Sequence, residues 1–326
     1  MKMLDHCAFN GDADGLCALQ QLRLAGELDA AVRLVSGVKR DIALLQRVQA
    51  GAGERVTVLD VSHEENRADA ARLLGAGARV RYFDHHFAGE LPDHPGFESY
   101  IDTAADVCTS LLVDRFLEGR FHRWAVAAAF GDGMAGPARA LAARHGLEEA
   151  DICALEELGR LLNYNAYGDS LADLHFDPVL LAAELLPYDD PLDFVRHSSS
   201  FARLREGYAA DMAAAASLEP WYAGKGASLY RLPAEPWARR VSGVLANQLA
   251  ARDPQRALGL LSARADGDWT FSLRVPATAS LEADAFCRGF ATGGGRKRAA
   301  GINRLPAEAL ESFARRLLDS YPHAAP

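Results

Sequence analysis

Acidic and imidazole side chains follow four separate apolar segments, at the points where the segments end. They are Asp12 and Asp14 in FNGDADG, Asp60 in VTVLDVS, Asp84, His85 and His86 in VRYFDHH, and Asp132 in WAVAAAFGDG. Carboxylates crowded together repel one another, and a divalent cation removes this cost. Oxygen ligands with imidazole and without thiolate favour Mn²⁺ or Mg²⁺, and two such ions about 3.5–4 Å apart would activate water for attack on a phosphoryl centre. Gly11 and Gly15 are expected to allow a tight turn around the first pair of aspartates.

The elements that would position these side chains can be read from the first 135 residues, where short apolar segments alternate with helix-like segments. The apolar segments are HCAFN (6–10), AAVRLVS (30–36), RVTVLDVS (55–62), RVRYFDHH (79–86) and ESYID (98–102). The segments GLCALQQLRLAGEL, DIALLQRVQA and EENRADAARLLGAGA repeat apolar residues at three- and four-residue spacing, which is typical of helices. The alternation predicts a parallel sheet with helices on both faces, which binds ligands at the carboxyl ends of its strands.

Each stretch also has an interpretation without chemistry. An aspartate followed by glycine is typical of a turn or a helix cap, which covers Asp12, Asp14 and Asp132. Asp60 precedes SHEENRADAARLL and could cap that helix. We favour a shared metal site because all of these residues stand at the ends of predicted elements, in separate parts of the chain.

A second α/β pattern begins near residue 225, after a mostly helical stretch from about 107 to 216. Within this stretch, residues 189–218 predict one long connecting helix. Prolines and a glycine mark a boundary within 187–224, so we predict domains at 1–190 and 225–326 joined by a helical linker at 191–224. The predicted fold class is α/β: an N-terminal doubly wound, mostly parallel sheet with a helical extension, and a smaller C-terminal α/β domain across a cleft.

Composition and charge limit the class of protein. The 326 residues exceed a comfortable single core, and no apolar run approaches the ~20 residues of a membrane helix. The start MKMLDH lacks the apolar centre of a signal peptide, and the five scattered cysteines form no Cys-x-x-Cys pair, so we expect a cytoplasmic protein without membrane association. Net charge is −9, yet residues 221–326 contain 15 Lys and Arg against 9 Asp and Glu. This basic part would suit an anionic substrate, although charge also varies between domains without function.

The combination of motifs resembles the DHH phosphoesterase family. DADG, VLDVS, DHH and FGDG match its four successive motifs in order, and GGGRKRAAG (293–301) resembles the signature of the DHH-associated substrate domain. The resemblance covers almost the whole chain. It implies a catalytic metal-binding domain at 1–190 and a substrate-binding domain at 225–326.

The resemblance also implies a role for each matching residue. Asp60 is implied to bridge two metal ions, Asp84 to orient its motif, and His86 to assist catalysis beside the scissile phosphate as a donor or general acid. The implied cofactor is Mn²⁺, as one or two ions, with Mg²⁺ as the alternative. The implied metal ligands are Asp12, Asp14, Asp60, His85 and Asp132.

Two asparagines are further candidates. Many members of the family carry a histidine two or four residues before the paired aspartates, where this chain has Asn10 and Ala8. Asn10 offers a neutral oxygen, or water completes a weaker first metal site. Asn165, in LNYNAYGD, matches an Asn-Ala-x-Gly segment of RecJ-type members, and it either binds metal or supports a ligand.

The C-terminal signature is expected to form a glycine-rich turn before the last strand. Bare glycine backbone lets N–H groups approach an anion, and neighbouring basic side chains add charge-assisted hydrogen bonds to phosphate. The alternative is a turn whose basic residues are only solvated. The substrate-binding candidates are Arg274, Gly293, Gly294, Gly295, Arg296 and Arg298.

Members of the family at about this length act on short oligonucleotides, pAp-like nucleotides or dinucleotides, whereas longer RecJ-type exonucleases add an OB-fold that grips single strands. We therefore expect a Mn²⁺-dependent phosphoesterase with a short nucleotide substrate. The alternatives are a RecJ-like single-strand exonuclease and a catalytically impaired nucleotide-binding protein, which the missing histidine would explain. Whether the chain forms a homodimer stays open.

Overall fold

The computed structural model describes residues 4–29, 31–264 and 266–324. The chain divides into two units, Met1–Gly207 and Tyr208–Pro326. Each unit is built on a sheet of its own. No helix in the described part of the chain is long and apolar enough to cross a membrane.

The first unit contains a five-stranded sheet in which every neighbouring pair is parallel. Its strands are β1 Leu4–Phe9, β2 Arg33–Val35, β3 Glu54–Leu59, β4 Arg79–Asp84 and β5 Phe97–Ile101, in the spatial order β2-β1-β3-β4-β5. Phe9 pairs with Leu59, and Leu59 pairs with Phe83, so β1, β3 and β4 end level with one another. The predicted parallel sheet is confirmed, and the segments that follow these three strands leave it side by side.

Helices make up most of the rest of the first unit. They are α1 Ala13–Leu24, α2 His63–Gly75, α3 Thr109–Phe116, α4 His122–Gly131, α5 Ala135–Arg144, α6 Glu149–Asn165, α7 Pro178–Leu185, α8 Pro191–His197 and α9 Ser199–Ala216, the last of which runs into the second unit. Val56, Val58 and Tyr82 of the strands pack with Leu73 and Leu74 of α2 in one buried cluster. This contact between strand and helix side chains is the one that the alternating pattern predicts.

The helix predicted for DIALLQRVQA is wrong, because only the 3₁₀ turn Leu44–Arg47 forms there. Side chains of α2 take the backbone groups that a helix would pair internally. The Asn66 side chain accepts from Leu45 N (3.1 Å) and donates to Ile42 O (2.7 Å), and Arg72 donates to Leu45 O (2.9 Å). Tertiary hydrogen bonds therefore override the local helical pattern.

The long connecting helix predicted for residues 189–218 is also wrong, since the chain forms α8 and α9 with a break at Ser198. Ser198 has an extended backbone (φ −82°, ψ 125°), and its hydroxyl accepts from Ser200 N at 3.2 Å. A serine in this position caps the start of a new helix.

The second unit is built on a six-stranded mixed sheet in the order β10-β11-β9-β8-β7-β6. Its strands are β6 Tyr222–Ala223, β7 Ala227–Arg231, β8 Ala257–Ala263, β9 Trp269–Arg274, β10 Gly293–Arg296 and β11 Ala299–Leu305, and its helices are α10 Pro236–Arg252, α11 Ala283–Cys287 and α12 Leu310–Ser320. Strands β7 and β8 are parallel and the other described pairs are antiparallel. Phe271, Phe286 and Phe313 meet in its buried core.

Candidate metal centre

Asp12 follows β1 and caps α1. Its Oδ1 accepts hydrogen bonds from Asp14 N (3.1 Å) and Gly15 N (3.2 Å), while its Oδ2 accepts from the Lys39 ammonium. Gly11 and Gly15 do not adopt a left-handed backbone, so the bend between β1 and α1 does not need glycine for its φ values. They are required for close approach, because a Cβ on Gly15 would lie 2.1 Å from a backbone oxygen.

Asp14 is buried and joins the start of α1 to the start of α3. Its two carboxylate oxygens accept from Thr109 N and Ser110 N, both at 2.7 Å, and the Ser110 hydroxyl donates to Asp14 O at 2.8 Å. These bonds satisfy two of the free N–H groups that begin α3. Asp14 Oδ2 also lies 4.0 Å from His85 Nε2.

Asp60 leaves β3 with a left-handed backbone (φ 57°), which few residues other than glycine adopt. Ser62, and not Asp60, occupies the N-cap position of α2. Asp60 Oδ1 lies 3.3 Å from His85 Nε2 and accepts from the Thr109 hydroxyl at 3.4 Å. Backbone strain of this kind clusters at functional sites, where the surrounding structure fixes it.

The DHH motif separates its three side chains by environment. Asp84 is fully buried, and its Oδ1 lies 2.8 Å from His86 Nδ1, so it orients this second histidine directly. His85 points its Nε2 toward Asp60 and lies 3.8 Å from Oδ2 of Asp132, which follows α4. His86 is half-exposed, with 45% of its side chain accessible.

Two overlapping groups of ligand atoms result, and within each group the atoms lie within 4.8 Å of one another. The groups are Asp60 with His85 and His86, and Asp14 with His85 and Asp132. Within the described residues, Oδ1 of Asn10 and Oδ2 of Asp84 are buried without a hydrogen-bond partner. Carboxylate and imidazole donors beside unpaired buried oxygens fit a divalent cation of the Mn²⁺ or Mg²⁺ type.

The pKa shifts of the carboxyl groups in the cluster also fit a bound cation. Burial, followed by repulsion from Asp12 and Asp14, raises the pKa of Asp60 well above its ordinary value. Burial and then Asp14 raise the pKa of Asp132 to about 6. Burial also opposes ionisation of Asp12, but the neighbouring Lys39 ammonium outweighs it and lowers the pKa of this carboxyl. Asp60 and Asp132 therefore lie in surroundings that oppose their negative charge, whereas the Lys39 ammonium favours the negative charge of Asp12.

His86 has a raised pKa, chiefly because its ring is hydrogen-bonded to the buried Asp84 carboxylate. Burial of the ring acts in the opposite direction and is the smaller effect. A half-exposed imidazole held by a buried carboxylate can keep a proton near neutral pH.

Lys39 is a residue that the sequence interpretation missed. Its ammonium donates to Asp12 and to Asn163 Oδ1 (3.2 Å), and it lies 3.9 Å from Asp132 Oδ1. Its backbone N–H donates to Ala166 O (2.9 Å), just beyond the end of α6. The one available signal was a basic residue four positions beyond β2, at the edge where the carboxylates meet.

The substrate-binding candidates lie in the second unit. Residues 293–296 form β10, at one edge of the sheet, and not the expected turn, because they pair with β11 across the two-residue loop 297–298. The side chains of Arg296 and Arg298 are exposed, while Arg274 donates to Asn247 Oδ1 at 2.8 Å. Gly293 and Gly295 are closely approached by Cys287 O and Ala300, and Gly294 faces open space.

Comparison with solved structures shows that the fold of this chain is a known one. An exonuclease RecJ bound to manganese matches with a TM-score of 0.56 and 18% identity, over 97% of this chain and 89% of that chain. The pGpG-specific phosphodiesterase PggH from Vibrio cholerae matches with a TM-score of 0.58 and 15% identity, over 97% and 98% of the two chains. The chain has a DHH-like two-domain fold, which it shares with these two structures.

RecJ from Thermus thermophilus, in complex with Mn²⁺, shares this DHH fold at a TM-score of 0.54 and 18% identity, over 98% of this chain and 52% of that chain. No family model and no curated protein matches the sequence.

The two asparagine candidates differ in position within the DHH fold. Asn10 continues β1, donating its backbone N–H to Leu59 O at 3.1 Å, and its side-chain oxygen is unpaired as described above. Asn165 is fully buried; its side chain donates to Phe176 O (2.9 Å) and accepts from Phe176 N (3.0 Å). Asn165 therefore holds the segment after α6, and its amide is occupied by backbone.

Proposed function

We propose that this chain is a Mn²⁺-dependent phosphoesterase that hydrolyses phosphodiester or terminal phosphate bonds of short nucleotide substrates. The observation that carries the proposal is the convergence of Asp14, Asp60, His85 and Asp132 from separate elements onto a few ångströms of space. The similarly folded proteins are, by name, an exonuclease and a pGpG-specific phosphodiesterase, which supports a nucleotide phosphate as substrate.

Each residue of the cluster has a part in the proposed reaction. Asp14, Asp60, His85 and Asp132 would hold the cation, which supplies Lewis acidity to a phosphoryl group and lowers the pKa of water. Asp84 fixes the ring of His86 through Nδ1, so that Nε2 is the atom left to donate a proton to the leaving oxygen. His86 is the candidate general acid because it is half-exposed and inclined to be protonated.

The second unit would bind the phosphates of the substrate that do not react. Neither Arg296 nor Arg298 forms an ion pair with a carboxylate in the described part of the chain, so both guanidinium groups are available to an anion. In contrast, Lys297 pairs with Glu282 at 3.0 Å. We expect Arg298→Ala to raise KM with little change in kcat, whereas Lys225→Ala, an exposed control on the same unit, should change neither.

An assay with oligonucleotides from a dimer to about 20 residues, with Mn²⁺ and with EDTA, tests the proposal. We expect Mn²⁺-dependent turnover that is fastest on the shortest substrates. Activity that grows with length would favour the RecJ-like exonuclease. Nucleotide binding without turnover under any divalent cation would show a catalytically impaired binding protein, and would refute the proposal.

A further inference from the structure

The Lys39 ammonium is surrounded by oxygen atoms in the way that a bound cation is. It donates to Asp12 and to the side-chain oxygen of Asn163, and Asp132 Oδ1 lies 3.9 Å away. Only a quarter of its side chain is accessible. The backbone hydrogen bond from Lys39 to Ala166 fixes the chain at this point, so the ammonium is a built part of the site.

The Lys39 ammonium takes the one carboxylate oxygen of Asp12 that does not cap α1. Oδ1 accepts from two backbone N–H groups at the start of α1, and Oδ2 accepts from Lys39. The nearest side chain upstream is Asn10, which offers a neutral oxygen and no imidazole. The part of the cluster around Asp12 therefore already contains the Lys39 ammonium and offers few metal ligands.

Asp132 contacts both the Lys39 ammonium and the His85 imidazole. Its Oδ1 faces Lys39 at 3.9 Å, and its Oδ2 faces His85 Nε2 at 3.8 Å. One carboxylate thus lies between the ammonium and the imidazole-bearing group of ligand atoms. A carboxylate placed between two positive centres is the arrangement of a two-metal site, with an ammonium standing at one of the centres.

The charges of the cluster agree with this arrangement. The carboxylates that meet here are Asp12, Asp14, Asp60 and Asp132. One divalent ion together with Lys39 brings these carboxylates to within one charge of neutrality. A second divalent ion bound to Asp12 would lie next to the ammonium and would be repelled by it.

We propose that Lys39 takes the place of one of two metal ions, so that each chain binds a single divalent cation. Asp14, Asp60, His85 and Asp132 hold this ion, and the Lys39 ammonium supplies the second positive charge beside Asp12. The inference rests on the proposed function for the identity of the metal site, and it concerns how many ions that site holds.

Counting bound Mn²⁺ by native mass spectrometry and titration calorimetry tests the inference without an activity measurement. Wild-type protein should bind one ion per chain, and the electron paramagnetic resonance spectrum should be that of isolated Mn²⁺. Lys39→Met removes the charge and should admit a second ion, most clearly when combined with Asn10→His. Lys39→Arg keeps the charge and should stay at one ion, as should Lys225→Met, an exposed lysine of the second unit.

Two ions on the wild-type protein would overturn the inference while leaving the proposed function intact. A count that stays at one in folded Lys39→Met/Asn10→His would also overturn it, because the lysine would then not be what excludes the second ion. No bound ion at all would overturn both proposals. Circular dichroism identifies a variant that fails to fold, and the wild-type count decides the question in that case.

Discussion

The two aspartates of the DADG motif stand two residues apart and have opposite surroundings. Asp14 belongs to the imidazole side of the cluster, which we define as Asp14, Asp60, His85 and Asp132. Asp12 belongs to the lysine side, defined as Asp12, Lys39 and Asn163. The Lys39 ammonium donates directly to Asp12 on the lysine side, whereas on the imidazole side it lies 3.9 Å from Asp132 Oδ1.

Both aspartates are also helix caps, so capping and ligand chemistry are not alternatives here. Asp12 caps α1 with one oxygen, and Asp14 accepts from the first N–H groups of α3 with both. Capping fixes where each carboxylate stands and leaves lone pairs free on the capping oxygens. What separates the two aspartates is the third partner, which is His85 for one and Lys39 for the other.

The largest effect should come from the imidazole side. Asp60→Asn and His85→Ala should each lower kcat/KM on a short oligonucleotide by about 10³-fold or more, because a metal ion contributes several kcal/mol to the stabilisation of a phosphoryl transition state. Steady-state kinetics with Mn²⁺ measures this loss. Asp93→Asn, which changes an exposed carboxylate outside the cluster, is the matched control. Wild-type turnover in both cluster variants would remove the metal assignment.

In the absence of metal, removing a carboxylate charge should change the free energy of unfolding in opposite directions on the two sides. Asp12→Asn should lower the free energy of unfolding at pH 7 by about 3 kcal/mol, because it breaks a buried ion pair with Lys39. Asp60→Asn should raise it instead. The folded protein raises the pKa of Asp60, so the charged form that prevails at neutral pH in the unfolded chain costs stability on folding.

Urea denaturation in EDTA measures both changes. Asparagine tolerates the left-handed backbone at position 60, so Asp60→Asn tests charge and not backbone strain. Shifts of the same sign in the two variants would show that the two sides do not differ in charge balance. With Mn²⁺ added, Asp60→Asn should be less stable than the wild type instead of more stable, because only the wild-type cluster gains the stabilisation from binding the ion.

A smaller effect should follow from the carboxylate behind the imidazole side. Asp84→Asn should lower the pKa of His86 toward its ordinary value, because the hydrogen bond to a charged acceptor is its main cause. His86 would then lose its proton at lower pH, and the basic limb of the pH–rate profile should move down with it. NMR titration of the metal-free protein measures the pKa. We expect a 10–100-fold loss of activity, and an unchanged pKa would contradict the assignment.

The imidazole side of the cluster could be predicted from the sequence. Parallel strands that end level place the residues after them side by side, so Asp60 and His85 are predictable from two apolar segments and a strand order. The fold class is predictable for the same reason, since the alternating pattern extends over the whole first sheet.

The lysine side does not follow from such rules. Lys39 lies in an irregular segment whose path depends on a backbone bond to Ala166, more than a hundred residues away. The neighbouring helix that the pattern predicts is replaced by a turn for a related reason, as Asn66 and Arg72 take its backbone groups. Single long-range hydrogen bonds of this kind have no periodicity and no local motif.

Asn163 gives the finest test of the difference between the two sides. Its side-chain oxygen accepts from Lys39 at 3.2 Å, so Asn163→Ala should lower the free energy of unfolding by about 1 kcal/mol. In a Lys39→Met background the same change should cost much less, because the donor is gone, and a double-mutant cycle in urea isolates this coupling. Zero coupling would mean that Asn163 does not hold the ammonium, and that the carboxylates of Asp12 and Asp132 hold it without the amide.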